Sequence, residues 1–506
     1  MRLLIANRGE IAVRIIRACR EMGISPIAVY SEADRRSVHV ALADRAVLIG
    51  PGPAVDSYLH IDKIVDAARQ TDADAIHPGY GFLSENAAFA QAVVDAGRIF
   101  VGPPASVIEL LGDKSAAKTL MAANGVPVVP GYHGDDQSAK RLLAEAKSIG
   151  VPLLIKAAAG GGGRGMRVVR DLEQFPALVD EARREAQSAF GSGVLLLERY
   201  VKRPRHIEVQ IFGDTHGNAI HLFERECSIQ RRHQKIIEES PSTALTPDLR
   251  ARIVDAALAA ARASGYVGAG TVEFLLDGDS FYFLEVNTRL QVEHPVTELI
   301  TGRDLVKLQL EIAMGASLPG AMPRAQDGHA APVPPDLAIR GHAIEVRIYA
   351  EDPSTGFLPS TGELTQWIAP SGPGIRVDSG VERGSIVSPY YDPMLAKLIV
   401  YGETRADAIA RLDRALTEMH ALGVKTNIPY LLAIVRHPAF VDGDLSTSFL
   451  ADHFDRWTPS TSVPLDILLA LAAEAVTRPA ATKQTGADDG DRFTAWGNRE
   501  GWRNVK

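Results

Sequence analysis

Phe281-Tyr282-Phe283-Leu284-Glu285-Val286-Asn287-Thr288-Arg289-Leu290-Gln291-Val292-Glu293 is the stretch on which the reading of this chain turns. A strand has period two, so Phe281, Phe283, Glu285, Asn287, Arg289, Gln291 and Glu293 share one face wherever extension persists. Beyond Phe283 that face is wholly polar, while Leu284, Val286, Leu290 and Val292 point the other way. Alternation of this kind ordinarily marks a solvated strand face. The preceding run changes the balance. Gly270-Thr271-Val272-Glu273-Phe274-Leu275-Leu276 is strand-like and leads into Asp277-Gly278-Asp279-Ser280, a turn sequence, so the spacing predicts a hairpin. A three-residue loop over 278–280 sets Glu273 directly opposite Glu285. Like charges facing across a ladder are destabilising unless something positive lies between them. A hard divalent cation meets that need, and Asn287 offers a third oxygen. Mg²⁺ (or Mn²⁺) suits a set with few carboxylates that also takes substrate phosphates.

A second signal lies upstream. Leu153-Leu154-Ile155-Lys156-Ala157 runs into the glycine-rich stretch 160–163, Arg164, Gly165 and Met166. Gly160, Gly162 and Gly165 match GxGxxG, but strand-like Met166-Arg167-Val168-Val169 follows where a dinucleotide fold needs a helix. GxxxxGK[ST] is absent. What remains is a strand–glycine loop–strand hairpin with Lys156 on the incoming strand. It reads either as a phosphate-cradling lid or as a floppy tip. A third segment, 225–239, carries cations that either hold an anion or form a charged loop, and decides nothing alone.

Outward from these motifs, residues 1–112 alternate strands (3–6, 27–30, 46–49, 75–77, 99–101) with helix-like spacing at Ile11, Ile15, Cys19 and Met22. This is a βαβ series, hence a parallel sheet. A central part over 113–330 contains a smaller α/β unit at about 131–201. A more β-rich part spans 331–450. A tail over 451–506 holds a helical stretch at 465–476 and a polar linker at 478–492. The segment 322–336 is rich in Pro, Ala and Gly and reads as a linker.

The chain has 506 residues, 46% hydrophobic and 23% charged, as an ordinary globular protein of about three domains has. Its net charge of −8 speaks against a nucleic-acid binder. Two distant cysteines, Cys19 and Cys227, suggest neither a disulfide framework nor a zinc site. No apolar run reaches membrane-spanning length. A reducing cytoplasm is the simplest expected location.

Several separated motifs resemble one family. Ala6-Asn7-Arg8-Gly9-Glu10-Ile11-Ala12, the stretch 77–86 (HPGYGFLSEN), 160–166, 230–239 and 285–298 together are similar to biotin carboxylases, which are ATP-grasp ligases. The likeness covers residues 1–450. It implies an N-terminal parallel-sheet domain, a central ATP-grasp domain with a lid, and a β-rich C-terminal domain. It implies ATP contacts at Lys114, Lys156, Gly162, Gly163, His206 and His233, and adenine recognition at Glu198, Arg199, Tyr200 and Val201. Glu273, Glu285 and Asn287 are implied as metal ligands, with Glu273 also serving the nucleotide. Lys235, Arg289 and the Val292 backbone resemble a bicarbonate site, Glu293 its general base, and Arg347 the residue beside the biotin ureido group.

None of the eight methionines adjoins a lysine, so a biotin-carrier segment is not found here. Biotin is therefore expected on a separate carrier protein or domain, with a carboxyltransferase β subunit as second partner. The stretch 443–450 and the Trp-containing tail look like those of acyl-CoA carboxylase α subunits. Dimerisation is expected from the resemblance. A pyruvate-type carboxylase subunit, another ATP-grasp ligase, or a non-catalytic relative of the fold are the alternatives.

Overall fold

The computed structural model describes residues 1–158, 166–232, 234–319, 337–459, 468, 469 and 473. Residues Met1–Thr458 form one compact unit. Its first layer is built from the short apolar runs that the sequence marks. Strands β1 (Arg2–Ile5), β2 (Ser25–Ser31), β3 (Arg45–Gly50), β4 (Ala75–His77) and β5 (Ile99–Phe100) make a sheet in the order β3-β2-β1-β4-β5, all pairs parallel. Leu3, Leu4 and Ile5 are fully buried, as a parallel sheet covered on both faces requires. Helix α1 (Gly9–Glu21) follows β1 across Asn7 and Arg8. The Asn7 amide donates to the carbonyls of Pro78 (2.8 Å) and Tyr80 (2.7 Å), joining the Asn-Arg-Gly-Glu turn to the turn after β4.

The helix Lys114–Ala123 opens the central part, its first turn capped by Asp113, whose carboxylate accepts from the amides of Ser115 and Ala116. A small sheet follows in the order β6-β9-β7-β8, made of β6 (Gly131–Tyr132), β7 (Leu153–Ala157), β8 (Arg167–Val169) and β9 (Leu195–Arg199). β7 pairs antiparallel with β8, so the glycine-rich connection joins two strands of a hairpin; residues 159–165 themselves, with Gly162 and Gly163, lie outside the described residues.

An eight-stranded antiparallel sheet carries the rest. In spatial order it runs from β14 (Ser280–Asn287) and β13 (Gly268–Asp277) through β10 (Arg205–Gly213), β11 (Ala219–Arg231), β12 (Gln234–Ser240) and β15 (His342–Tyr349) to the strands Met394–Gly402 and Ile375–Ser379. The β-rich third part thus extends the central sheet edge to edge through the β12–β15 pairing.

The hairpin differs from its expected form in two compensating ways. Asp277 pairs with Ser280, so the turn has two residues, with Gly278 at φ +59°, where glycine is favoured. A bulge at Leu284 then shifts the register by one, and Glu273 still pairs with Glu285, Val272 with Val286 and Thr271 with Asn287. The bulge also reverses the phase of alternation. Phe281, Phe283 and Val286 enter the core under the helix Pro247–Ser264, with Val272, Phe274 and Leu276. Glu285 and Asn287 therefore do not share the face of Phe281 and Phe283; the unbroken extension expected from sequence ends at Leu284.

Of the helix expected over 465–476, only 468, 469 and 473 are described, and these are helical. The polar linker at 478–492 and the segment 322–336 lie outside the described residues.

Phe274 is fully buried, with Phe281 and Phe283 edge-on at 5.5 and 6.5 Å. Phe274→Ala is expected to lower stability by about 3–5 kcal/mol, read from denaturant unfolding, because the rigid sheet cannot collapse into the cavity.

Candidate active site

The alternation on β10 sets the floor of the site. Ile207, Val209 and Ile211 point into the core beneath, and His206, Glu208 and Gln210 point to the other side. β13 lies alongside with Glu208 opposite Glu273, and β14 beyond it with Glu285 opposite Glu273. Three carboxylates in consecutive register need compensation, and the structure supplies it from several directions. Lys235, on β12, places its Nζ 2.5 Å from Glu208, 2.8 Å from Glu273 and 2.7 Å from Glu293. His206 Nε2 lies 3.0 Å from Glu273 Oε2, and Lys114 Nζ 3.1 Å from Glu285. Burial works against the charge on Lys235, yet Glu208, Glu273 and Glu293 hold its ammonium well above the ordinary lysine range. Glu273 is buried too; Lys235 and His206 pull its carboxyl well below the usual range.

Glu293 sits one loop further on, fully buried, in contact with Lys235 at Oε1 and Arg347 at Oε2 (3.1 Å). Burial would raise this carboxyl, but Lys235, Arg347 and Arg225 keep it well below the usual range, hence ionised. Arg347, on β15, is itself anchored by its Nε to Glu238 (2.7 Å). Arg289 donates to Glu85 (2.9 Å), Gln291 (2.8 Å) and Asn287 Oδ1 (3.1 Å). A cavity of about 320 Å³ lies against this group, and Arg289, Val292, Arg347, Arg8, Tyr80 and Gln234 are among its lining residues.

Of the nucleotide-site candidates, Lys114 opens the helix Lys114–Ala123, His206 and Glu273 stand on the large sheet, and others fall on or beside the small one. Lys156, on β7, and Lys118, on the helix Lys114–Ala123, both contact the carboxylate of Glu198 at the end of β9. Arg199, Tyr200 and Val201 continue from there, and Arg199 reaches the Tyr282 hydroxyl (2.7 Å) across to the main hairpin. His233 lies outside the described residues.

The carboxylate oxygens of Glu273 and Glu285 and the side-chain oxygen of Asn287 fit a hard cation that keeps waters and shares phosphate oxygens. Asn287 Nδ2 is fixed 2.8 Å from Glu273 Oε1, which turns its oxygen to the side of Arg289. His206, Glu208 and Glu273 bring ligand atoms within 4.8 Å of one another, as do Glu208, Cys227 and Glu293.

Sequence reasoning missed the residues that hold this group together. Glu208 was readable from the Ile-Glu-Val-Gln-Ile alternation of 207–211. Arg225 is fully buried and bonds Glu208 (2.5 Å), Gln210 (2.8 Å), Thr297 (3.0 Å) and Thr271 (3.1 Å). Its strand is buried on both faces, so no periodicity singles it out.

A small sheet and a large one, each carrying lysines paired with carboxylates and linked to one another, are the features of a nucleotide-dependent ligase of the ATP-grasp kind. Comparison with known proteins makes this specific. Residues 1–108 match the biotin carboxylase N-terminal domain, 113–321 the carbamoyl-phosphate synthase L chain ATP-binding domain, and 345–452 the biotin carboxylase C-terminal domain. The chain is 49% identical over 504 residues to the mitochondrial methylcrotonoyl-CoA carboxylase subunit alpha of Dictyostelium discoideum, covering 99% of this chain and 70% of that one. It is 50% identical to biotin carboxylase 1 of Bacillus subtilis, covering 89% of this chain and 98% of that one. The biotin carboxylase domain of the Hydrogenobacter thermophilus 2-oxoglutarate carboxylase, crystallised as a dimer with MgADP, ADP and bicarbonate, superposes with a TM-score of 0.83. It is 46% identical, covering 89% of this chain and 97% of that one. The chain belongs to the biotin carboxylase family. It spans 60–70% of the length of the methylcrotonoyl-CoA carboxylase α subunits it matches.

Glu239 and Asp378 are both buried, but His342 and Arg405 pull the first, and Arg376 the second, down to about 2. A depressed carboxyl stabilises the fold above its unfolded pKa and loses that contribution as pH falls through the folded value. The urea midpoint is therefore expected to drop as pH is lowered from about 4.5 to about 2. Arg405→Met should flatten that drop.

Proposed function

We propose that this chain carboxylates biotin on a separate carrier, using ATP and bicarbonate, as the first half-reaction of an acyl-CoA carboxylase. The observation that carries the reading is Glu293, a buried carboxylate bracketed by Lys235 and Arg347, the second of which lines a cavity together with Arg289 and Val292. In this reading Arg289, Lys235 and the Val292 amide hold bicarbonate. An anion entering there draws on the same ammonium as Glu293, which raises the proton affinity of that carboxylate. Glu293 takes the bicarbonate proton, and the oxygen so freed attacks the γ-phosphorus in line while the ADP oxygen leaves. Carboxyphosphate then releases CO₂ and phosphate. The phosphate removes the N1 proton of biotin, N1 bonds the CO₂ carbon, and Arg347 holds the negative charge on the ureido oxygen during transfer. Glu273, Glu285 and Asn287 would hold Mg²⁺ or Mn²⁺, which neutralises phosphate charge. Lys114, Lys156, His206, His233, Gly162 and Gly163 would hold the phosphates and ribose, and residues 198–201 the adenine.

The division into 1–112, 113–330 with a lid at 131–201, 331–450 and a tail at 451–506 is part of the same proposal. So are a homodimer, a biotin carboxyl carrier and a carboxyltransferase β subunit as partners. Methylcrotonoyl-CoA carboxylase α subunits from several organisms, 49–53% identical to this chain, support the acyl-CoA carboxylase reading. Among the described residues no helix is long and apolar enough to cross a membrane. Free, buried Cys19 and Cys227 support a reducing compartment, for which the cytoplasm is our proposal, although named relatives include mitochondrial proteins.

Free biotin should stimulate bicarbonate-dependent ADP release. Glu293→Gln should cut that rate by about 10²–10⁴-fold, the usual weight of a general base, while ATP still binds. Unchanged turnover in Glu293→Gln would remove the proposed base, and indifference of the wild type to bicarbonate would remove the reaction.

A further inference from the structure

Lys397 is fully buried on the strand Met394–Gly402, at the same level of the sheet as Arg347 on β15 and Asp378 on the other side. The two neighbouring cations grip two consecutive residues of one loop. Arg347 takes the Glu293 carboxylate at 3.1 Å, and Lys397 donates to the Val292 carbonyl at 2.7 Å. Two acids are within reach of Lys397, Glu10 at 3.4 Å and Asp378 at 3.9 Å, yet its short hydrogen bond goes to a neutral backbone oxygen. Asp378 is occupied by both ends of Arg376 (3.0 and 2.7 Å). The approach of the two parts is close here: a Cβ on Gly380 would stand 2.4 Å from the Glu10 nitrogen.

We infer that Lys397 is a positioning residue for bicarbonate, fixing the Val292–Glu293 peptide so that Val292 at the cavity and the Glu293 carboxylate buried behind it keep their relative placement. Peptide units are planar, so two planes flank Val292. The Gln291–Val292 plane is fixed by buried His294, whose Nδ1 lies 2.9 Å from the Gln291 carbonyl, and the amide N–H of Val292 is trans to that carbonyl. The Val292–Glu293 plane is fixed by Lys397 from the third part of the chain, and the Glu293 backbone stands at φ −80°, ψ 10°. The Val292 amide makes no hydrogen bond among the described residues, and Val292 lines the cavity. With the first plane free to rotate bicarbonate would lose a donor, and with the second free the base would lose its aim at the anion held beside it. Glu10, beside Lys397, belongs to the Asn-Arg-Gly-Glu turn, which ties that N-terminal motif to the same loop.

This inference rests on the bicarbonate reading above. The test is steady-state ATP cleavage with bicarbonate and ATP varied in turn, for the wild type, Lys397→Met, Glu10→Gln and the double variant Lys397→Met/Glu10→Gln, which removes the ion pair as a unit. The KM for bicarbonate should rise about tenfold or more in Lys397→Met, and in the double variant relative to Glu10→Gln, with the KM for ATP within about twofold, because misorientation at one ligand leaves the other untouched. Folding is followed by circular dichroism and thermal midpoint. A bicarbonate KM that stays put in a folded variant overturns the inference, as does a parallel rise in both KM values or loss of the fold in both Lys397 variants, each of which marks a structural ion pair. A wild type without bicarbonate-dependent cleavage overturns the functional reading itself.

Discussion

The structure depends on compensating negative charge that the sheet brings into register. Glu208, Glu273 and Glu285 come from three neighbouring strands, paired residue to residue. Glu208 and Glu273 are buried and Glu285 half-buried, and carboxylates withdrawn from water are costly unless paired and hydrogen-bonded. Lys235 meets two of them together with Glu293, Lys114 meets the third, and Arg225 locks Glu208 from behind. The same arrangement that demands cations from the protein suits a divalent ion and a triphosphate, so the folding constraint and the chemistry share one cause.

The continuity of the eight-stranded sheet explains how distant segments share one site. Glu293 follows β14 at one end of the sheet, while Arg347 and Lys397 stand on β15 and its neighbour toward the other. Reaching Glu293 from both Lys235 and Arg347 requires the helix His294–Thr301 to lie against the sheet. Glu298 on that helix accepts from Arg14 of α1 (2.8 Å) and from Arg376 (2.7 Å), which fixes its placement against two other parts of the chain. The loop carrying Val292 and Glu293 is thereby held at its side chains, its backbone and the helix that follows.

Much of this was legible in the chain. The parallel sheet followed from short apolar runs separated by amphipathic helices, and the acid pair followed from hairpin arithmetic. That arithmetic reached the right pairing by a wrong route. It took a three-residue loop where the molecule has a two-residue turn and a bulge at Leu284, two shifts of one residue that cancel at Glu273. A bulge leaves no compositional mark in Phe-Leu-Glu-Val, so period-two reasoning carried the phenylalanine face one step too far. Glu208 was legible in principle from its alternating strand. Arg225, Lys397 and Glu238 were not, because central strands buried on both faces show no period, and their partners lie 17 to 109 positions away in sequence.

The most direct test of the account is to locate a bound cation. Crystals grown with Mn²⁺ and a non-hydrolysable ATP analogue would show its position by anomalous scattering. The account predicts a peak at coordination distance, about 2.2 Å, from oxygens of both Glu273 and Glu285, with phosphate oxygens completing the shell. A peak that avoids the hairpin, or touches only one of the two facing carboxylates, would contradict it.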